Sequence, residues 1–278
     1  MKGLFISTVL LLCCLGTRLH AQYNTTELGM FYGFSTYLGD LQQERFEVAE
    51  CHAAYGAFLR YNLNRAISWK WHLYKGTISG SDENYDGLLV RERNLHFRSD
   101  LYEVGTQFEI TFLHFGEKDR RVAAPYVFVG VSAFYFNPEA RWEGKWVALQ
   151  PLGTEGQWLD AYPEKEPYDL VQWSIPMGIG FNINIGKRIN LGFEIGFRQT
   201  FTDYLDDVSG TYPDQQLLVL RDPMAATLSF RTPEYLQQEL PNPVGKIRGN
   251  PENNDLYVFG GFTLSTVVGH RFQKGNRR

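Results

Sequence analysis

The sequence of 278 residues is 44% hydrophobic and 15% aromatic, contains 27 glycines and carries a formal net charge of −4. This length is enough for one large domain or two small ones. Abundant aromatic residues and glycine beside few cysteines favour β structure over a helical bundle. The slightly negative charge gives no reason to expect a nucleic-acid partner, so none is predicted.

Residues 1–21 have the features of a secretory signal peptide. Lys2 supplies a basic start, an apolar core follows, and the small residue Ala21 precedes Gln22. Such a segment is too short to span a membrane as a helix, so we expect export and cleavage. The mature chain, residues 22–278, then keeps one cysteine and no intrachain disulfide, and we expect it to form a single domain.

Eight segments of the mature chain alternate apolar and polar residues with the period of two that marks a β-strand. In residues 188–201 one parity is apolar except for Gln199, and the other carries Asn190, Glu194 and Arg198. The clearest segments run to about 11–13 residues, which is longer than usual globular strands and long enough to cross a bilayer at a tilt. The eight predicted strands cover residues 28–38, 54–63, 67–76, 102–112, 125–136, 173–185, 188–201 and 256–270.

The connections between the predicted strands alternate in length. Short ones lie at residues 63–66, 115–124 and 186–188, and long ones at residues 39–53, 78–100, 137–171 and 202–255. Short connections at one end and long ones at the other are typical of a bacterial outer-membrane barrel. The sequence therefore predicts an all-β fold, an eight-stranded antiparallel transmembrane β-barrel with short periplasmic turns and long outer loops. The proline-rich stretch 231–255 is predicted to be flexible loop.

The polar parity of the strands carries charged residues that suit a narrow lumen filled by side chains. Opposite charges in such a lumen must pair to offset their desolvation. Three cations against three carboxylates make a balanced set, which predicts a plugged barrel and not a conducting pore. The predicted lumen charge network consists of Arg60, Lys70, Glu103, Glu109, Glu194 and Arg198.

The short turns and the C-terminal tail are basic, with ten Lys and Arg residues against two acidic ones. One interpretation is that these turns are merely kept soluble by charge. The other is a basic periplasmic rim that docks an acidic partner or lipid headgroups. The candidate partner contacts are Arg120, Arg121, Lys187 and Arg188.

Two acidic stretches raise the question of chemistry. Asp203, Asp206 and Asp207 follow the seventh predicted strand. They suggest a metal site, a carboxylate pair for acid–base chemistry, or the turn by which the chain leaves the bilayer at the outer rim. Residues 82–87 match the opening of a calcium loop, but the closing glutamate position holds Arg93. The turn and a polar loop tip are the favoured interpretations. No metal, cofactor or catalytic residue is predicted.

Five segments carry a resemblance to a known family: RNLHFRSDLYEVG (93–105), YVFVGVSAFYFNPEA (126–140), LQPLGTEGQ (149–157), QWSIPMGIGF (172–181) and RQTFTDYLDDVSGTY (198–212). In their order along the chain they resemble the PorG-like outer-membrane barrels of Bacteroidetes, an accessory component of the type IX secretion system. The resemblance implies a barrel that works with a periplasmic ring of PorK- and PorN-type proteins. It brings no catalytic residues.

Two functions remain open from the sequence. The first is a non-enzymatic outer-membrane barrel that anchors or scaffolds the periplasmic ring of type IX secretion, a system associated in many relatives with gliding motility. The second is a small outer-membrane channel or a surface-binding barrel that acts through its long loops. Outer-membrane lipid is expected to surround the barrel in both.

Overall fold

The computed structural model describes residues 25–42, 47–84, 87–112, 123–185 and 188–270, so the predicted signal peptide lies outside the described residues. Within them the chain is all-β apart from short helices. The strands are β1 Thr25–Leu38, β2 His52–Asn62, β3 Ile67–Ser81, β4 His96–Thr111, β5 Ala124–Tyr135, β6 Pro138–Trp142, β7 Lys145–Ala148, β8 Val171–Ile185, β9 Ile189–Thr200 and β10 Leu256–His270.

Eight of these strands close into a ring of antiparallel pairs. The order around the ring is β1, β2, β3, β4, β5, β8, β9 and β10, and β10 pairs with β1 to complete it. Each member corresponds to one of the eight strands predicted from the alternation of residues. The predicted eight-stranded antiparallel barrel is therefore confirmed.

The two faces of the barrel differ in chemistry. Outward side chains are apolar and uncovered, as at Met30, Ile179 and Phe262, which are 70%, 61% and 61% exposed. Inward side chains include Arg60 and Lys70, of which 2% and 0% are exposed. A continuous apolar exterior around a polar interior is the arrangement of a barrel whose outside meets lipid.

Strands β3 and β4 extend further than the sequence pattern predicts. The alternation fades beyond Gly76 and before Tyr102, yet the ladder continues with Gly76 opposite Leu101 and Ser81 opposite His96. The pattern ends early because the outward residues there become polar once the strands rise past the apolar band. Backbone pairing does not need that apolar face, so the strands continue.

The long outer connections fold into an ordered layer, here called the cap, which comprises the described parts of residues 39–51, 82–95, 136–170 and 201–255. Strands β6 and β7 form a hairpin in it. Its helices are α1 Leu88–Arg93, α2 Gln215–Arg221, α3 Pro223–Ser229 and α4 Thr232–Leu236. The prediction of a flexible loop at 231–255 is therefore wrong, since the stretch includes α4 and the buried Arg248.

The helices of the cap begin at residues suited to that position. Asp214 accepts a hydrogen bond from the backbone N–H of Gln216 at the start of α2. Asp222 accepts from Met224 and Ala225 at the start of α3, where Pro223 occupies the first turn. An aspartate cap satisfies backbone donors that have no partner inside the helix, and proline has no such donor to lose. These local signals explain why helices interrupt an otherwise β sequence.

Two apolar clusters hold the cap. One joins the upper barrel interior to the cap, because Phe31 and Phe259 of the strands belong to the same buried cluster as Leu205 and Val208 of the last outer connection. The other lies within the cap and packs α2 and α3 against the β6–β7 region, with Leu218 and Leu149 among its members. The cap is thus continuous with the barrel core. None of the described helices has the length and apolar character needed to cross a membrane.

Candidate functional site

Paired charges cross the lumen of the barrel, and all six predicted residues belong to them. Arg60 on β2 contacts two carboxylates: its Nε lies 2.8 Å from Glu109 Oε2, and its Nη1 lies 3.3 Å from Glu27 Oε2. Glu27 also accepts a hydrogen bond from Ser265 on β10 at 2.8 Å. One guanidinium therefore connects β1, β2 and β4 across the bottom of the barrel.

The second pair is adjacent to the first, because Lys70 is the register partner of Arg60. Lys70 Nζ on β3 is 2.6 Å from Glu194 Oε2 on β9, on the other side of the lumen. Glu194 also accepts hydrogen bonds from the hydroxyls of Tyr74 at 2.7 Å and Tyr126 at 2.9 Å. A buried carboxylate with three donors has its lone pairs satisfied, which offsets much of its desolvation cost.

The third pair joins Arg198 on β9 to Glu103 on β4, with Nε 3.2 Å from Oε2. Glu103 also lies 2.8 Å from His72 Nε2 and accepts a hydrogen bond from Tyr257 at 2.7 Å. Gly105 makes room for the His72 ring, because a Cβ at this position would lie 2.7 Å from Nε2. The pair is thus enclosed by side chains from β3, β4, β9 and β10.

The lumen network differs from the prediction in composition. It holds three Arg or Lys residues and four carboxylates, because Glu27 joins the three predicted glutamates, and His72 adds a further group beside Glu103. Glu27 lies one residue before the predicted start of its strand. His72 and Tyr74 share the inward parity of Lys70, so the alternation of β3 was the sequence signal that could have placed them in the lumen.

Aromatic side chains pack in the lumen beside the network, and the Arg198 guanidinium lies 4.7 Å from the ring centroid of Phe259. The rings of Phe31 and Tyr74 stack with centroids 4.6 Å apart, and Phe259 packs against both. Tyr37 lies edge-on to Phe97 at 4.8 Å. The lumen is therefore occupied by ion pairs and aromatic rings together.

The aspartates after β9 do follow the end of that strand, but they are buried within the cap. Asp206 and Asp207 are 1% and 0% exposed, and Asp203 is 8% exposed. Asp207 adopts a positive φ of 65°, a conformation that suits a tight turn. The predicted turn at the outer rim thus lies within the protein, where these carboxyls need partners.

Asp207 belongs to a set of polar contacts that organises the cap. Tyr168 donates a hydrogen bond to it at 2.8 Å, the hydroxyl of Thr154 donates to its other oxygen, and Arg248 lies 3.8 Å away. Arg248 also pairs with Glu155 at 3.0 Å. Burial raises the pKa of Asp207 to about 6, and the Arg248 guanidinium opposes that rise.

Glu155 holds the backbone of the same turn. Its carboxylate accepts hydrogen bonds from the N–H groups of Ser209 at 2.9 Å and Gly210 at 3.1 Å. Residues 149–157 and 198–212 are thus bound to each other in the cap. Both belong to the segments that carry the family resemblance.

The calcium-like sequence at 82–87 has a different role at its first position. Asp82 pairs with Arg93, whose Nη2 lies 2.6 Å and Nε 2.9 Å from its two oxygens, and it accepts the N–H of Leu95 at 2.8 Å. Arg93 also donates to the carbonyls of Asp40 and Arg248. In the part of the chain that the structure describes, no group of three His, Cys, Asp or Glu residues is placed to hold a metal ion.

Of the four candidate partner contacts, the structure describes one. Arg188 is exposed at the turn before β9, and its carbonyl accepts a hydrogen bond from Val267 at 2.9 Å. Arg120, Arg121 and Lys187 lie outside the described residues. The hypothesis of a basic docking rim thus stays a prediction.

The closed ring, apolar exterior and filled lumen define a transmembrane β-barrel of the outer-membrane class. The chain belongs to the family described as Domain of unknown function (DUF6089), whose model matches residues 4–221. No curated protein matches the sequence.

Solved barrels resemble the chain at low identity. Neisserial surface protein A shares 6% identity, with 87% of this chain and 97% of that chain covered at a TM-score of 0.44. The N-terminal β-barrel domain of Pseudomonas aeruginosa OprF shares 8% identity over 89% and 100%, at 0.37. Ail of Yersinia pestis, solved with a heparin analogue, shares 7% identity over 88% and 98%, at 0.38.

Proposed function

We propose that the protein is a non-enzymatic outer-membrane barrel that anchors or scaffolds the periplasmic ring of a type IX protein secretion system. The observation that carries the proposal is the occupied lumen. Four buried ion-pair contacts cross it at distances from 2.6 to 3.3 Å, and aromatic rings pack beside them. Such an interior favours a rigid anchor over a conduit.

The choice of type IX secretion rests on the resemblance to PorG-like barrels. Two of the segments that carry it, 149–157 and 198–212, meet in the cap through Glu155 and Asp207. Partners of the PorK and PorN type would then meet the short-turn end, where Arg188 is exposed.

The decisive experiment is a pull-down of the tagged barrel from its native host after mild detergent extraction. We expect ring components of the PorK and PorN type to co-purify with the barrel. Two double charge reversals, Arg120→Glu with Arg121→Glu and Lys187→Glu with Arg188→Glu, should reduce their recovery. Recovery of the barrel alone, in a host that has the secretion system, would count against the scaffold.

A matched control reverses two charges at the opposite end of the molecule. Lys145→Glu with Lys246→Glu changes exposed residues of the cap by the same total charge. This variant should recover ring components as the wild type does. If the cap variant lost as much recovery of ring components as the rim variants, net charge and not a docking rim would govern the association.

A second candidate is a surface-binding barrel that acts through its outer loops. It is favoured by apolar side chains that the cap leaves uncovered, among them Leu89, Leu220 and Ile247 at 81%, 84% and 81% exposure. Planar-bilayer recordings distinguish a small channel from both the surface-binding barrel and the scaffold. We expect no stable conductance from the wild type, because buried ion pairs and aromatic rings occupy the lumen.

A further inference from the structure

Five residues meet where the barrel joins the cap, and they are here called the neck cluster. Tyr37 comes from the outer end of β1 and Asp40 from the connection after it. Asp203 and Asp206 follow β9, and Asp255 precedes β10. All five are buried, and each connection that contributes one of them leads into the cap.

The Tyr37 hydroxyl lies between two carboxyl groups. Its oxygen is 2.6 Å from Asp206 Oδ2 and 3.1 Å from Asp255 Oδ1. A phenol has one proton, so it can donate to only one of them. The other contact is favourable only when that carboxyl carries a proton of its own and donates it to the phenol oxygen.

Each carboxyl also accepts one backbone N–H, so the two distances from the phenol indicate which carboxyl holds the extra proton. Asp206 accepts the shorter bond from Tyr37, and its second oxygen accepts the N–H of Val208 at 2.9 Å. Asp206 therefore acts as an acceptor at both oxygens, as a carboxylate does. Asp255 accepts the N–H of Leu205 at 2.9 Å through Oδ2, which leaves Oδ1 to donate to Tyr37.

Asp203 adds an independent sign that the cluster is short of positive charge. Both of its carboxyl oxygens are buried, and neither has a hydrogen-bond partner among the described residues. Within the same residues no Lys or Arg lies within ion-pair distance of Asp203, Asp206 or Asp255. Arg93 is engaged by Asp82, and Arg248 by Glu155 and Asp207.

We propose that a proton held by Asp255 fastens the cap to the barrel, and that its loss at alkaline pH loosens the segment 201–214. Asp255 then competes with Asp206 for the single proton of Tyr37, and two like charges face each other in a buried site. The backbone N–H groups of Leu205, bound by Asp255, and of Val208, bound by Asp206, then lose their fixed positions. The cap thereby becomes sensitive to the pH outside the barrel.

The charged and titratable groups around the cluster are mostly acidic, as a proton held by Asp255 requires. They are Tyr37 and Asp40 on and after β1, Arg93 at the end of α1, Glu155 and Tyr168 in the connection before β8, Asp203 and Asp206 themselves, and Asp255 before β10. Burial raises the pKa of Asp255 well above its usual range, and the neighbouring aspartates raise it further. Burial likewise raises the pKa of Asp203 to about 7.

A carboxyl whose pKa is higher in the folded state than in the unfolded chain binds its proton more tightly when folded. Its contribution to stability is fully present below the ordinary pKa of about 4 and is lost as the pH rises through the folded value. For Asp203 that loss is centred near pH 7, and for Asp255 it lies higher. The fastened cap is therefore favoured by acid.

Hydrogen exchange of the intact barrel in detergent micelles tests the proposal. Protection factors, corrected for the intrinsic pH dependence of exchange, are measured for residues 203–209 at pH 5, 7 and 9. We expect protection in the wild type to fall about tenfold or more across this range. The amides of β9 should keep their protection, because the barrel ladder does not depend on the cluster.

Two variants separate the role of the proton from a general role of the residue. In Asp255→Asn the amide can donate to Tyr37 and still accept from Leu205, so we expect higher protection than in the wild type at pH 9, with only the smaller fall near pH 7 that Asp203 contributes. In Asp206→Asn an acceptor of two hydrogen bonds is replaced, so protection should be low even at pH 5. Asp169→Asn, at an exposed aspartate of the cap, should behave as the wild type.

Several results would overturn the proposal. They are constant protection in the wild type from pH 5 to 9, an unchanged pH dependence in Asp255→Asn, or equal behaviour of the two cluster variants. Protection that follows added calcium chloride at constant pH would assign the neutralising charge to a cation and overturn it as well. Heat-shifted electrophoretic mobility checks that each variant has folded, and Tyr37→Phe, which removes the shared hydroxyl, should reduce the pH dependence independently.

Discussion

The lumen network and the neck cluster are both buried groups of charged side chains, but they are balanced in different ways. In the lumen, Arg60, Lys70 and Arg198 each contact a carboxylate directly. In the neck, Asp206 and Asp255 share the hydroxyl of one tyrosine. In the first group each carboxylate faces a cation at contact distance, whereas the balance of the second depends on the protonation of carboxyls.

The two groups also differ in how much of the structure each one holds. The lumen pairs connect strands that are already joined by a closed ladder of hydrogen bonds. The neck and the Arg248 contacts hold loops that have no ladder of their own. We therefore expect changes in the lumen to alter the stability of the whole barrel, and changes in the cap to alter local opening.

The largest effect is expected from Lys70→Ala. It leaves Glu194 buried opposite no cation, and breaking a buried pair in this way costs about 3–5 kcal/mol. Urea unfolding of the detergent-solubilised barrel should show the loss as a lower midpoint. The double variant Lys70→Met with Glu194→Gln removes both charges and should recover most of the lost stability. A double variant as unstable as the single one would refute the pairing argument.

A smaller and local effect is expected from Arg248→Ala. The change removes the partner of Glu155 and Asp207, and hydrogen bonds to charged groups are worth about 1.5–3 kcal/mol each. Water can reach the cap when it opens, so we expect faster exchange at residues 204–210 with an unchanged urea midpoint for the barrel. Lys246→Ala, at an exposed neighbour, is the control. A large drop in the barrel midpoint would contradict the separation of the two regions.

The smallest effect is expected from Asp222→Ala. Loss of an aspartate N-cap destabilises a helix by about 1 kcal/mol. Exchange at Met224 and Ala225 should therefore accelerate about fivefold, while α2, which Asp214 caps, keeps its protection. Asp160→Ala, at an exposed position of the cap, should leave both helices unchanged. Equal acceleration in α2 and α3 would mean that the two helices open as one unit.

The position of the lumen charges could be predicted because alternation is a local property. A residue of the inward parity, such as Arg198, faces the lumen wherever its strand lies in the ring. Glu27 was missed because the alternation of β1 is weak near its start. The neck cluster could not be predicted, since Tyr37 and Asp255 are 218 positions apart and neither lies in a recognisable motif.

The sequence by itself determined the number of strands in the closed ring, the inward and outward faces of those strands and the end at which the long connections lie. Each of these follows from residue periodicity and spacing. Only the tertiary structure decided what those connections do. The sequence pattern predicts a solvated turn at Asp203, Asp206 and Asp207. They are buried because Leu205, which lies between them, and Val208, which follows them, pack into the core that the barrel shares with the cap. Burial of an acid depends on neighbours that are distant in sequence, and no local pattern contains them.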